Sequence, residues 1–399
     1  MPTHIKLLTL GGFLAFFVFG FIDNLKGPLL PELLRSGDFS YSQGGTILFA
    51  SYVGFILSTL ATGVLSDVIS NRSVLRLAAI SLCVGCIGFG TVTSYPALIL
   101  FMGISGFGLG AIELGANGLM IELHDKSRGR YLNLLATFHG CGSLLVPLYV
   151  AWMLSRGNSW QWIYGSTVLL AAPLLALFWT CGRNSAPQPT SQRPTVAEAK
   201  PGWDWRSFFV ALSRSGFTPR MRYYYLIIAT YVAIELSVAA WMMEYLQQDR
   251  GMSVSVSSLY LSGFFVLLML GRLLGSFVVD RFVPLRIVFL AIAASAACLA
   301  IAIFGPSYCS PFFPLSAFFM SIVFPTVTAS VTRELTGSTG TILGLLFACG
   351  GAGGALGPWT VGLLSDAVGL QLGLTASLGF AAISLVAILL LQRVPLARD

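Results

Sequence analysis

Residues 106–118 read GFGLGAIELGANG: a glutamate, Glu113, set among glycines and aliphatics with no charge beside it to pair with. The run that contains it, 96–123, is apolar and longer than the roughly 20 residues a bilayer-crossing helix needs. A carboxylate in hydrocarbon costs several kcal/mol, so such a residue is expected to face an internal cavity and mark a pathway. Gly106, Gly110, Glu113 and Asn117 follow at steps of four, three and four, which puts them on one helix face. The glycines let another backbone come close, and the same face delivers a carboxyl and an amide to whatever lies between the helices.

The whole chain repeats that pattern. Of its 399 residues 56% are hydrophobic and 10% charged, where a soluble domain carries about 25% charged residues. The composition excludes a soluble globular protein and predicts an all-α membrane protein. The net charge of +7 gives no nucleic-acid signal, because the cations are spread over loops. Of the seven cysteines, Cys83 and Cys86 form a C-x-x-C inside an apolar run, where packing explains them better than redox or zinc chemistry. No disulfide framework, metal site, cofactor motif, Walker loop or nucleophile elbow is present in the sequence, so no enzyme is expected. The first apolar run starts near Leu7 and lacks a small-residue cleavage site, which argues against a cleaved signal peptide.

Twelve spans can be placed. Six occupy 9–34, 43–66, 74–93, 96–123, 129–154 and 160–181, and six occupy 222–247, 254–279, 285–304, 311–333, 339–364 and 370–392. This divides the chain into a six-helix bundle over 1–181, a linker over 182–221 and a second bundle over 222–399. The linker contains RNSAPQPTSQRPTVAEAKPG, polar and proline-rich. Within it WDWRSFFVALSRS (203–215) has an apolar and a basic face and is expected to form an interfacial helix. With the N-terminus inside, the inner loops hold Arg72 and Arg76, then Lys126, Arg128 and Arg130, then seven cations between Arg183 and Arg222, then Arg281, Arg286 and Arg333. The opposite side holds Lys26, Arg35, Arg156 and Arg250. The excess of cations predicts cytoplasmic termini and linker and, with them, an inner (cytoplasmic) membrane protein.

The halves echo one another. FIDNLKGPLLPELL in segment one and AIELSVAAWMMEYL in segment seven place Asp23 and Glu235 at matching positions, each followed nine residues later by a second acid, Glu32 and Glu244. GVLSD (63–67) closes segment two and GLLSD (362–366) closes segment eleven on the other face. Parallel repeats with inverted repeats nested inside them produce both echoes.

Six plus six spans around a linker resembles the major facilitator superfamily. GLGAIELGAN (108–117), YLNLLATFHGCGSLL (131–145), GRLLGSFVVDRF (271–282), FMSIVFP (319–325) and YVAIELSVAAW (231–241) resemble its fucose permease branch, the fucose–galactose–glucose:proton symporters. The likeness runs over nearly the whole chain except the linker. The chain departs from that branch where Gly27 stands in place of an acid and His139 in place of an asparagine. The resemblance implies two pseudo-symmetric six-helix bundles, alternating access, a monomer and proton-coupled uptake of a monosaccharide or similar small polar solute.

On this reading Glu113 carries the proton, with Asp23 and Glu235 as further coupling acids. Asn24, Asn117, Asn133, Thr137, His139 and Trp241 line the substrate site. A permanently neutral, hydrogen-bonded Glu113 is the static alternative. Asp23 can instead be neutralised by Lys26 one turn on. Trp241 suits sugar stacking or an interfacial aromatic belt, and Tyr245 suits the belt. Glu32 and Glu244 read as solvated rim residues. Asp67, Arg72, Arg76, Asp280 and Arg281 are expected to gate the cytoplasmic ends by pairing across the bundles. The expected partners are a small solute, protons and the lipid bilayer, and a carboxylate beside asparagine and backbone oxygens suits sodium as well. Two other functions remain open: a proton-antiport exporter of an amphipathic metabolite or drug, and a transport-dead sensor. Segment five offers Gly140, Gly142 and Pro147 but not the full glycine–proline pattern of antiporters.

Overall fold

A computed structural model describes residues 3–65, 70–124, 127–180, 218–277, 281–334 and 339–395, and all regular structure among them is helical. The first span is two helices, α1 (Thr3–Asn24) and α2 (Lys26–Gly37). Then come α3 (Tyr41–Leu65), α4 (Asn71–Thr91), α5 (Tyr95–Leu123) and α6 (Arg128–Ser155), followed by a broken sixth span, α7 (Trp160–Ser166) with α8 (Val168–Thr180). The second half comprises α9 (Pro219–Gln248), α10 (Val254–Ser276), α11 (Pro284–Phe304), α12 (Phe312–Met320), α13 (Val323–Glu334), α14 (Thr339–Val368), the single turn α15 (Leu370–Gly373) and α16 (Ala376–Arg393). Among the described residues eleven spans are long and apolar enough to cross a membrane, and α14, with 30 residues, supplies the twelfth. The predicted interfacial helix at 203–215 lies outside the described residues.

The breaks have local causes. Proline lacks an amide hydrogen, and its ring crowds the carbonyl four residues back. Pro28 opposes Asn24, where α1 ends, and Leu25 between the helices donates back to the Ile22 carbonyl at 3.3 Å. Pro325 opposes Ser321, between α12 and α13. Helix starts are set by hydroxyl caps: Ser70, Ser159, Thr218 and Ser253 each accept an amide from the first turn they precede.

Within each half, small residues bring backbones together. A Cβ at Gly106 of α5 would collide with the Ser51 carbonyl of α3, so only glycine permits this approach, which places Ser51 and Tyr52 beside the helix of Glu113. Gly353 of α14 meets the Ala229 carbonyl of α9 in the same way. The halves meet along three seams: α3 with α14, α6 with α10, and α2 with α9.

The side bearing the chain ends and the α8–α9 connection is called here the linker face, and the other the far face. The far face is closed by contacts between the halves. Gly27 of α2 lies against the Ala239 carbonyl of α9. Arg35 donates to Gln247 Oε1 at 2.7 Å, and the Phe49 and Trp359 rings lie 5.5 Å apart.

Candidate functional site

The break in the first span presents charge at mid-depth. Asp23 stands on the last turn of α1, and Lys26 opens α2. Lys26 Nζ donates to Asp23 Oδ1 at 2.6 Å and to Ser51 Oγ at 3.0 Å, and lies 4.4 Å from the centre of the Tyr52 ring. Lys26 is 7% exposed, so the ammonium is held by these groups rather than by water. Asp23, Asn24, Lys26, Tyr52, Leu236 and Pro358, from both halves, line a small cavity of about 20 Å³. The Asn24 amide donates to Gly20 O (2.9 Å) and Ser143 Oγ (2.8 Å), tying α1 to α6.

Four further helices contribute polar groups. Glu113 on α5 is half-buried, and the Asn117 amide donates to its carbonyl at 2.7 Å and to its Oε1 at 3.2 Å. His139 on α6 is half-buried, edge-on to Phe19 with ring centres 4.7 Å apart. Asn133 and Thr137, six and two residues before His139 toward the linker face, are exposed, and the Thr137 hydroxyl donates to the Asn133 carbonyl. On the second half Glu235 of α9 faces Arg272 of α10 at 3.8 Å. That distance is too long for a hydrogen bond. Arg272 keeps 44% of its side-chain surface open, although it sits within an apolar span, about one turn before the end of α10. The buried Tyr231 hydroxyl lies beside both members of the pair.

The site thus contains a tight ion pair from one half, a loose pair from the other, and one carboxyl, Glu113, with an amide partner but no cation in contact. Asp23 and Asn24 line the cavity, Glu113 and His139 lie within electrostatic range of Asp23, and Asp23 and Glu235 both lie within range of Tyr52; these residues and Asn117 are all partly exposed.

Other expectations are corrected. Trp241 does not line the cavity. It is fully buried, its Nε1 donates to the Pro358 carbonyl at 2.9 Å, and its ring meets Tyr41 edge-on at 5.7 Å, so it seals the far face. Tyr245 is no belt residue: it is fully buried and its hydroxyl donates to the Ile303 carbonyl. Glu244 is no rim residue, being 2% exposed. Of the gating set, Asp67 and Asp280 lie outside the described residues. Arg76 donates to the Phe178 carbonyl within its own bundle, and Arg281 is exposed. Among the described residues neither these two nor Arg72 forms an ion pair across the bundles.

Arg272, Ser51 and Tyr52 were not singled out from the sequence. The signal for Arg272 was present, an ionisable residue inside an apolar run as at Glu113, but its place in a shared motif masked it. Ser51 and Tyr52 carry no signal of their own, because nothing local tells a cavity-facing hydroxyl from a packed one.

Comparisons agree with this architecture. The family model described as Major Facilitator Superfamily matches residues 12–358 and 226–398. The L-fucose-proton symporter of Escherichia coli (strain K12) is 25% identical over 393 residues, covering 89% of this chain and 86% of that protein. A glucose/galactose transporter of Brucella abortus biovar 1 (strain 9-941) is 24% identical over 388 residues, covering 90% and 88%. A solved bacterial homolog of the human lysosomal transporter Spinster, in an inward-facing and unoccupied conformation, superposes with a TM-score of 0.80 at 16% identity, covering 98% of each chain.

Proposed function

The chain belongs to the major facilitator superfamily, and from that premise we propose that this multi-pass secondary transporter is a proton-coupled symporter for a monosaccharide or similar small polar solute. Membership makes it a transporter and not an enzyme. The finer reading rests chiefly on Glu113. It is a half-buried carboxyl inside an apolar span, held by the Asn117 amide, with no cation in contact among the described residues, and within electrostatic range of Asp23, which lines a cavity formed by both halves. Such a group exchanges protons with whichever aqueous phase the cavity meets, and its charge is costly unless water or a proton reaches it. The amides, hydroxyls and imidazole of Asn24, Asn117, Asn133, Thr137 and His139 offer a solute alternating donors and acceptors. Asp23 and Glu235, each with a basic partner, set the field around Glu113.

The cation-rich linker face is assigned to the cytoplasm. The far face is then external, its closure makes this an inward-facing state, and Arg72, Arg76 and Arg281 act in the opposite state, when the linker-face ends approach. The fucose and glucose/galactose transporters among the relatives support a sugar substrate.

The experiment is uptake into proteoliposomes. A panel of radiolabelled monosaccharides is offered with and without an inward proton gradient. The wild type accumulates at least one sugar when the gradient is applied. Glu113→Gln still exchanges that sugar across the membrane but no longer accumulates it. Gradient-driven accumulation by Glu113→Gln would overturn the proton assignment. Expulsion of hydrophobic cations by the wild type, with no sugar uptake, would replace the symporter with the exporter.

A further inference from the structure

The arrangement around Lys26 has the composition of a monovalent-cation site. A carboxylate oxygen at 2.6 Å, a serine hydroxyl at 3.0 Å and an aromatic face at 4.4 Å surround one positive nitrogen, from two elements that are not adjacent in sequence. The side chains of Lys26 and Asp23 are 5% and 14% exposed. We propose that the Lys26 ammonium is a tethered cation that permanently fills a coupling site built from Asp23, Ser51 and the Tyr52 ring, so that neither sodium nor a proton binds there in the native chain and Glu113 is left as the coupling carboxyl of this half.

The geometry carries the argument in three steps. An ammonium has three N–H donors. Two of them reach oxygen acceptors, and the charge lies over the Tyr52 π-face, an attraction that strengthens when water is excluded. Breaking a buried pair by removing one partner leaves an uncompensated charge, so Asp23 does not release Lys26 to accept a mobile ion. The tether has a fixed origin: Lys26 sits at the first position after the Leu25 break, which Pro28 imposes, so its backbone is held one turn from Asp23. The Tyr52 hydroxyl also hydrogen-bonds Asp23. Tyr164 of α7, Glu113 of α5, His139 of α6 with Arg272 of α10 in its range, and, through Tyr52, Glu235 of α9 are the other titratable groups within electrostatic range. The carboxyls and phenols among them carry no positive charge, so they cannot replace the ammonium. The proposal depends on the transporter reading only in placing Asp23 in the transport cavity, and its test needs no solute.

Full-length protein in detergent is compared as wild type, Asp23→Asn, Lys26→Met and Asp23→Asn/Lys26→Met. The methionine keeps the length and apolar volume of the stem and removes the charge. Unfolding midpoints are read in sodium chloride and in choline chloride of equal strength, at pH 6 and pH 8. The wild type is expected to show no sodium-specific shift. Lys26→Met exposes the site and gains roughly 3 °C in sodium over choline, or at pH 6 over pH 8 if a proton takes the place. The double variant, without the carboxylate, loses that gain. Lys26→Met insensitive to both ions would overturn the proposal. So would a wild type stabilised by sodium in a manner that Asp23→Asn abolishes. If Lys26→Met does not fold, Lys26→Gln replaces it in the same comparison. Failure of sugar uptake in the earlier experiment would leave this result untouched, and the converse holds.

Discussion

The Asp366 carboxylate, at the far-face end of α14, accepts the backbone N–H of Tyr41 at 2.8 Å, and its second oxygen accepts that of Ser42 at 2.9 Å. A side chain of the second half thereby caps the first turn of α3 in the first half. The first amides of a helix have no partner within it, and a carboxylate there gains from the helix dipole as well. Asp366 ends the GLLSD motif that echoes GVLSD at 63–67, so this echo is used at the far face. The cap exists only while α3 and α14 are together at that face.

Asp366→Ala is therefore expected to weaken far-face closure by about 1 kcal/mol, the usual worth of such a cap. That is a several-fold shift of the conformational equilibrium. Spin labels at Asp38 and Gln248, both exposed at this face, would report it as a larger fraction of long distances. An unchanged distance distribution would remove Asp366 from the gate.

Glu244 lies in the same closure. Its Oε2 is buried and makes no hydrogen bond. Arg35 of α2 is in its electrostatic range, yet that guanidinium donates to Gln247 and to the Pro31 carbonyl. Asp249, one turn on, adds like charge, and Tyr41 of α3 faces it from the other half. An ionised Glu244 in the closed gate keeps an oxygen without a hydrogen bond, which costs of the order of 1–3 kcal/mol for an unsatisfied buried group. Glu244→Gln should raise the closed fraction seen by the same label pair at pH 8, about fivefold or more. A fall in that fraction would contradict the argument.

The two ion pairs should differ in strength. Lys26 and Asp23 are in contact and buried, and removing one partner of such a pair costs about 3–5 kcal/mol. Glu235 and Arg272 are 3.8 Å apart with the arginine nearly half open, and pairs of that kind contribute under about 1 kcal/mol. Double-mutant cycles on unfolding midpoints, Asp23→Asn with Lys26→Met and Glu235→Gln with Arg272→Met, should give a large coupling for the first and a small one for the second. The reverse order would mean that the looser pair tightens in solution.

A pH dependence is expected at the linker face, outside the spans. The Thr9 hydroxyl donates to the Ile5 carbonyl, so the His124 Nε2–H is the donor to Thr9 Oγ1 at 2.8 Å. Its ring stacks on Tyr131 with centres 3.5 Å apart. Burial lowers the His124 pKa below its ordinary value. The folded chain thus holds a neutral ring where the unfolded chain takes up a proton near pH 6.5. The stability His124 contributes is complete above about pH 6.5 and declines as the pH falls below it. His124→Gln keeps a donor for Thr9 and should flatten the unfolding midpoint between pH 5 and 7. An identical slope in the two proteins would place the titration elsewhere.

What could be read from the chain alone was what depends on near neighbours. Apolar runs of span length fix helices because backbone groups in lipid must bond within their own segment. The lone Glu113 stood out because hydrocarbon penalises charge wherever the fold puts it. Asp23 and Glu235 were found by the repeat. The partners were decided only by tertiary structure. That Lys26 turns inward to Ser51 and Tyr52 depends on the Gly106 contact with α3. That Trp241 seals a gate instead of lining the cavity, and that Glu244 is buried instead of solvated, depends on α2 and α3 meeting α9 and α14. Those contacts join residues hundreds of positions apart, and hydropathy along the chain has no term for which of two greasy surfaces will face another helix, a lipid or a water-filled space.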